Sequence, residues 1–140
     1  MEQGRENGSL FYALQRLSSD THKHIDQMLL ERLGIGVSQL RILHIVQSLE
    51  SAGQRTIGDA LGQTEASISR QVKVLAQKGL VQVQINPKNQ RQKLVSITIK
   101  GARLAEAADA DLDRGMQAIL QPLSAKQRKQ FIELLNMLRK

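Results

Sequence analysis

Cysteine is absent from the 140 residues, which excludes disulfides, zinc ribbons and thiol-based redox sensing. Aromatics are nearly absent too: Phe11, Tyr12 and Phe131 are the only ones, and none lies in the basic central segment. A platform that stacks single-stranded bases needs such rings, so that class is disfavoured. The two prolines fall at Pro87, in turn chemistry, and at Pro122, where a helix must stop. No apolar run approaches the ~18–20 residues that span a bilayer. An N-terminus carrying Glu2 and Glu6 does not resemble a signal peptide. The expectation is a soluble, cytoplasmic chain with no cofactor and no membrane partner. Its length suits one domain, or one domain with a dimerisation extension, around a real core.

What is present is positive charge, and it is confined. The formal net charge is +7, and residues 54–103 carry all of it. Arg55, Arg70, Lys73, Lys78, Lys88, Arg91, Lys93, Lys100 and Arg103 there face only Asp59 and Glu65, while the rest of the chain sums to zero. Such asymmetry is the electrostatic footprint of a polyanion partner.

The chain is organised around Thr56 to Val81, TIGDALGQTEASISRQVKVLAQKGLV. Ile57, Ala60 and Leu61 give a short helix one apolar stripe. Gly62 breaks it, since a residue without Cβ takes the left-handed conformation that ends helices. Thr64 is placed to cap a second helix. In that helix Ile68, Val72 and Leu75 recur at i, i+4, i+7, and Lys78-Gly79 closes it. Ala66, Arg70, Lys73 and Gln77 lie on the opposite face, with Ser67 and Gln71 on the flank. Taken alone, this is compatible with a solvated amphipathic helix. It also has the low bulk, donors and acceptors, and cations that a helix in the major groove requires.

The segment after this helix decides between the two. Leu80 to Ile85, with Val81, Val83 and Ile85 alternating, predicts a half-buried strand. Asn86-Pro87-Lys88-Asn89 predicts a turn, and Leu94 to Ile99 a second strand through Val95, Ile97 and Ile99. The hairpin tip carries Lys88, Arg91 and Lys93 without an acid. A helix pair followed by a basic hairpin is a winged helix, and double-stranded DNA fits it best. Arg55 and Thr56, opening the helix pair, are expected against the DNA backbone.

The flanks are helical. Leu10, Leu14 and Leu17 begin an apolar face that Ile25, Met28, Leu29 and Leu33 continue, with Asn7 or Ser9 as the expected cap. Gly34 and Gly36 stop this helix. A second runs from Val37 to Leu49 through Leu40, Leu43 and Val46, and Ser51 to Gln54 reads as a loop. Thr98 caps a helix to about Leu120, whose Glu106, Asp109, Asp111 and Asp113 read as a solvated face rather than a metal site. Ser124 and Gln127 form a capping box for the last helix. Its stripe of Phe131, Leu134, Leu135 and Leu138 is too apolar for an exposed terminus. With Leu10, Phe11 and Leu14 it is the expected interface of a homodimer; the competing reading closes both stripes into one monomer core. The fold expected is mainly α with a small β-hairpin, a winged helix-turn-helix at residues 37–100 between dimerisation segments 1–36 and 101–140.

These pieces carry a resemblance. GVSQLRILHIV, IGDAL, SISRQVKVLAQKGLV and LVSITIKG, in that order, resemble the MarR family of bacterial transcriptional regulators, most clearly over residues 34–101. The resemblance implies a dimeric winged helix on pseudo-palindromic duplex DNA, and for many members release by a small-molecule effector. It implies base reading by Thr64, Ala66, Ser67, Arg70 and Gln71, with Lys73 on the same helix, and minor-groove reading by Arg91. It places a ligand pocket near Leu17, His24 and Leu43. The chain departs from the pattern in three places. Asn89 replaces the acid that often orients the wing arginine. Gln63 stands where an apolar residue is usual, and Gly36 where a threonine usually caps the second helix.

An enzyme finds no support, for there is no phosphate loop, nucleophile elbow or paired-carboxylate arrangement. His22, His24 and His44 read as ordinary surface or interface histidines, since His22 and His24 diverge on their helix. A winged helix serving only as a protein-interaction module is the alternative function. It requires apolar residues on the reading helix, where Ser67, Arg70, Gln71 and Lys73 are polar.

Overall fold

Helix α1 (Glu2–Leu33) opens the fold in the computed structural model, which describes residues 2–139. It begins well before the expected caps, so Asn7 and Ser9 lie inside it. A cap residue marks where a helix can start, and nothing in the preceding residues forces a break there. Ile25 and Leu29 enter the core, while Leu10, Leu14 and Leu17 stay exposed. Gly34, at φ 71°, ends the helix.

Helix α2 (Val37–Ser48) buries Leu40, Ile42, Leu43 and Val46. Its N-cap, Gly36, has no side chain to offer, and Asp26 of α1 supplies one instead. The Asp26 Oδ1 accepts the Val37 N–H at 2.8 Å. A Cβ on Gly36 would stand 2.6 Å from that oxygen, so glycine is what lets the carboxylate reach the helix end.

The expected loop after α2 instead contains strand β1 (Ala52–Gly53), and helix α3 (Gln54–Leu61) follows at once. In α3 Ile57 is buried and Leu61 half-buried, but Ala60 is exposed. The neighbouring Gly58 takes the inward position, and a Cβ there would press on the Gln63 carbonyl oxygen at 2.7 Å. Gly62, at φ 65°, ends α3 in the left-handed region as the sequence predicts. Helix α4 (Glu65–Gln77) buries Ile68, Val72 and Leu75.

Strands β2 (Val81–Asn86) and β3 (Asn89–Ile97) form the hairpin, and β1 pairs on the far side of β3, giving the order β1-β3-β2. β1 is held by Ala52 opposite Val95 and Gly53 opposite Leu94. β3 starts earlier than expected, and Ile99 belongs to helix α5 (Ile99–Leu120), where it is 74% exposed. Thr98 caps α5, its hydroxyl oxygen accepting the Gly101 N–H at 3.0 Å. A line of small residues, Gly101, Ala105, Ala108 and Gly115, lets α5 pack closely. A Cβ on Gly115 would come within 2.5 Å of Ile25 Cδ1.

Asp111 falls on that buried line and is 3% exposed, which corrects the reading of four solvated acids. Arg32 Nε donates to its Oδ2 at 2.9 Å, and Arg114 donates to its Oδ1. Asp109 is engaged as well, 2.8 Å from His44 Nε2 across to α2. Helix α6 (Ala125–Leu138) starts with the predicted Ser124–Gln127 capping box and has no buried residue. No helix of the described residues is long and apolar enough to cross a membrane.

Candidate nucleic-acid interface

Helix α4 is oriented by its buried stripe, and its outward face is what remains. Ala66, Arg70, Lys73 and Gln77 are exposed, with Ser67 and Gln71 half-buried on the flank. Thr64 caps the helix, its Oγ1 accepting the Ser67 N–H at 3.1 Å. Among the described residues neither Arg70 nor Lys73 makes an ion pair.

Gln63 is the residue that sequence reasoning did not assign a role. Its Oε1 accepts from Ser67 Oγ at 3.2 Å and from Gln71 Nε2 at 2.8 Å. Gln71 Nε2 lies also 3.3 Å from Ser67 Oγ. The signal was present in the four-residue spacing of 63, 67 and 71, which stacks the three polar groups along one helical edge.

The wing is built on two side-chain turns. Asn86 Oδ1 accepts the Lys88 N–H at 3.0 Å, and Asn89 Oδ1 accepts the Arg91 N–H at 3.2 Å. Asn89 thus holds the backbone of Arg91, and its carbonyl does not orient the guanidinium. The register jumps from Ile85 opposite Lys93 to Asn86 opposite Asn89, leaving Gln90, Arg91 and Gln92 bulged out of the ladder. Bulges re-aim side chains, and this one carries the exposed Arg91 between exposed Lys88 and Lys93. The inner half of the hairpin alone is buried: Val81 packs in the core, while Val83 and Ile85 are exposed. Val95, opposite Val83, is still buried, and from Ile85 to the tip the hairpin is largely exposed.

Arg55, Arg91 and Lys93 line a cleft of about 460 Å³ with Gln54, Asn89 and Glu65. It joins the start of α3, the start of α4 and the wing into one cationic surface, and Thr56 is exposed beside it. Two of the nine central cations serve the fold instead. Lys78 Nζ donates to the Gly34 carbonyl at 2.5 Å, and Lys100 Nζ to the Lys78 carbonyl at 2.9 Å.

The outer helices leave apolar surface open. Phe11 is 59% exposed, Leu134 59% and Leu138 75%, with Leu10, Leu14 and Leu135 also exposed and Phe131 half-buried. The two stripes therefore do not close a monomer core. Between them runs a groove of about 440 Å³ lined by Leu14, Leu17, Ile25, Met116, Phe131 and Leu135, among others. The three residues expected around a ligand have different surroundings. Leu17 lines this groove, His24 is exposed and Leu43 is buried in the core, while His22 rather than His24 faces the groove. Among the described residues no three His, Asp or Glu side chains come together as a metal site.

Helix-turn-helix, three-stranded sheet and projecting basic wing define a winged helix-turn-helix. Comparison with known proteins is more specific. Residues 35–93 match the MarR family model. The chain is 27% identical over 106 residues, 76% of its length, to an uncharacterised HTH-type transcriptional regulator, YdgJ of Bacillus subtilis. That match spans 65% of YdgJ, just under two thirds of its length. Among solved structures, wild-type apo MarR from E. coli superposes with a TM-score of 0.85 at 20% identity, covering 94% of this chain and 96% of that one. A mutant MarR from E. coli complexed with operator DNA superposes at 0.80, also with 20% identity, covering 96% of each chain.

Proposed function

We propose that this protein is a repressor that binds a pseudo-palindromic operator in duplex DNA as a homodimer, with release by a small ligand seated in the apolar groove. One observation carries the reading. The unpaired outward face of α4 and the bulged wing lie on the one segment that holds the whole net charge of +7. Cations gathered this way neutralise phosphates and release counterions, while Ser67, Arg70 and Gln71 are small or forked enough to meet base edges. The open stripes of α1 and α6 support pairing. A two-fold pair sets two reading helices about 34–36 Å apart, one turn of the duplex, which matches a palindromic site. Segments 1–36 and 101–140 then serve dimerisation, and 37–100 serves DNA.

The test is genomic footprinting followed by titration of the recovered duplex at several salt concentrations. Affinity is expected to fall steeply with salt. Arg70→Ala is expected to cost about 1–3 kcal/mol and to relax specificity at one base step. Arg91→Ala is expected to weaken binding through the minor groove or a phosphate. Equal footprints from the wild type and the double variant refute both assignments.

A further inference from the structure

We infer that Gln63 fixes the hydrogen-bonding polarity of Ser67 on the reading helix, making it an acceptor-only reader that selects a base presenting an exocyclic amine. The inference rests on the duplex-DNA reading above and adds what that helix selects. A serine hydroxyl ordinarily offers one donor and two acceptor positions, and a glutamine offers two donors and two acceptor positions. Here the Ser67 hydroxyl proton is committed to Gln63 Oε1 at 3.2 Å. The Gln71 amide turns one N–H toward the same oxygen at 2.8 Å and toward Ser67 Oγ at 3.3 Å, and its second N–H, which diverges from that pair, stays free. What Ser67 has left for a partner is a lone pair.

In the major groove, lone pairs are met by the N4 amine of cytosine and the N6 amine of adenine. The O6 of guanine and the O4 of thymine would set acceptor against acceptor. Every base pair carries one such amine, so the network reads the strand on which it lies, separating A from T and C from G. Gln63 acts through Ser67 and is a positioning residue; it sits in the turn before α4. The committed proton leaves the Ser67 hydroxyl no rotor free to satisfy the opposite pattern.

The experiment is selection of binding sites from a random duplex pool by the wild type, Gln63→Leu and Gln63→Glu. A carboxylate can only accept, so Gln63→Glu is expected to keep the wild-type preference at the affected positions, with weaker binding to all sequences from its added charge. Gln63→Leu frees the Ser67 hydroxyl, and its preference there is expected to flatten by about tenfold, the scale of a single base contact. An arm with the wild-type protein alone covers the case in which the leucine variant does not fold. In the selected duplex, purine replaces adenine, or 2-pyrimidinone replaces cytosine, one position at a time. Loss of about tenfold at one position, abolished in a Ser67→Ala background, supports the inference. A Gln63→Leu profile identical to the wild type overturns it, as does indifference to every amine deletion; the function proposed above survives either result. No sequence preference by the wild type overturns both.

Discussion

At Asp111 two guanidinium groups meet one carboxylate that the packing of α5 has taken out of water. The hydrogen bond from Arg114 holds its pKa below the ordinary aspartate range; burial opposes this, and Arg32 reinforces it. A carboxylate depressed in the folded state contributes stability at neutral pH and loses it as pH falls through the folded value. Asp111→Asn is therefore expected to melt at lower temperature at pH 7. The gap to the wild type should shrink as the solution is acidified. Thermal melts across a pH series check this, and a gap independent of pH would contradict the ionic account. The acid's burial could be read from the sequence, because Asp111 continues the spacing of Gly101, Ala105 and Ala108. Reading charge alone, without that stripe, put it on the solvated face. Gln63 was obscured for a different reason: a polar residue in a turn looks unremarkable until its partners four and eight positions on are counted.

Among the elements, what local chemistry dictates was legible. Thr64, Thr98 and Ser124 cap helices and Gly62 takes the left-handed turn, because each answers to groups within three or four residues of itself. What depends on distant chain was not. β1 is only two residues long and exists because β3 has an edge to pair, and the α2 cap comes from Asp26, eleven positions upstream of Val37. The same distinction separates two glycines. A Cβ on Gly101 would overlap the Leu80 carbonyl oxygen and meet Ile97 Cγ1 at 2.9 Å, where backbone cannot yield. One on Gly53 would meet the side-chain amide of Gln92, which can swing away. Gly101→Ala is expected to destabilise by about 1–3 kcal/mol or more, and Gly53→Ala to stay within about 0.5 kcal/mol. Urea denaturation of the two variants decides it; equal losses would mean that the approach of α5 to Leu80 and Ile97 is not a tight one.

For the whole molecule, the outstanding feature is that α6 buries nothing of its own while presenting Ile132, Leu134, Leu135, Met137 and Leu138. Surfaces of this kind signal a partner, and in the proposed homodimer a second copy supplies the matching α1 stripe. Leu135→Asp is expected to shift the protein to a monomer in sedimentation at micromolar concentration. Operator affinity should fall by at least tenfold, since each half-site is then bound without its neighbour. Wild-type protein that sediments as a monomer with and without DNA would remove the homodimer. The sequence could mark these stripes as apolar but could not say whether they faced each other or outward; that depends on the angle at which α6 leaves α5, which no local residue encodes.

Four hydrogen bonds meet where α4 ends: Lys78 Nζ to Gly34, Lys100 Nζ to Lys78, Thr98 Oγ1 to Gly79 at 2.7 Å and Thr98 N to Leu80 at 3.1 Å. They rivet the back of the reader to the foot of the first helix and the head of the fifth. In a pair of chains joined through their outer helices, the gap between the two probes is thus gauged at this joint, as a caliper's jaws are governed by its pivot. Whatever tilts the outer helices opens or shuts that gap without touching a single base-facing side chain.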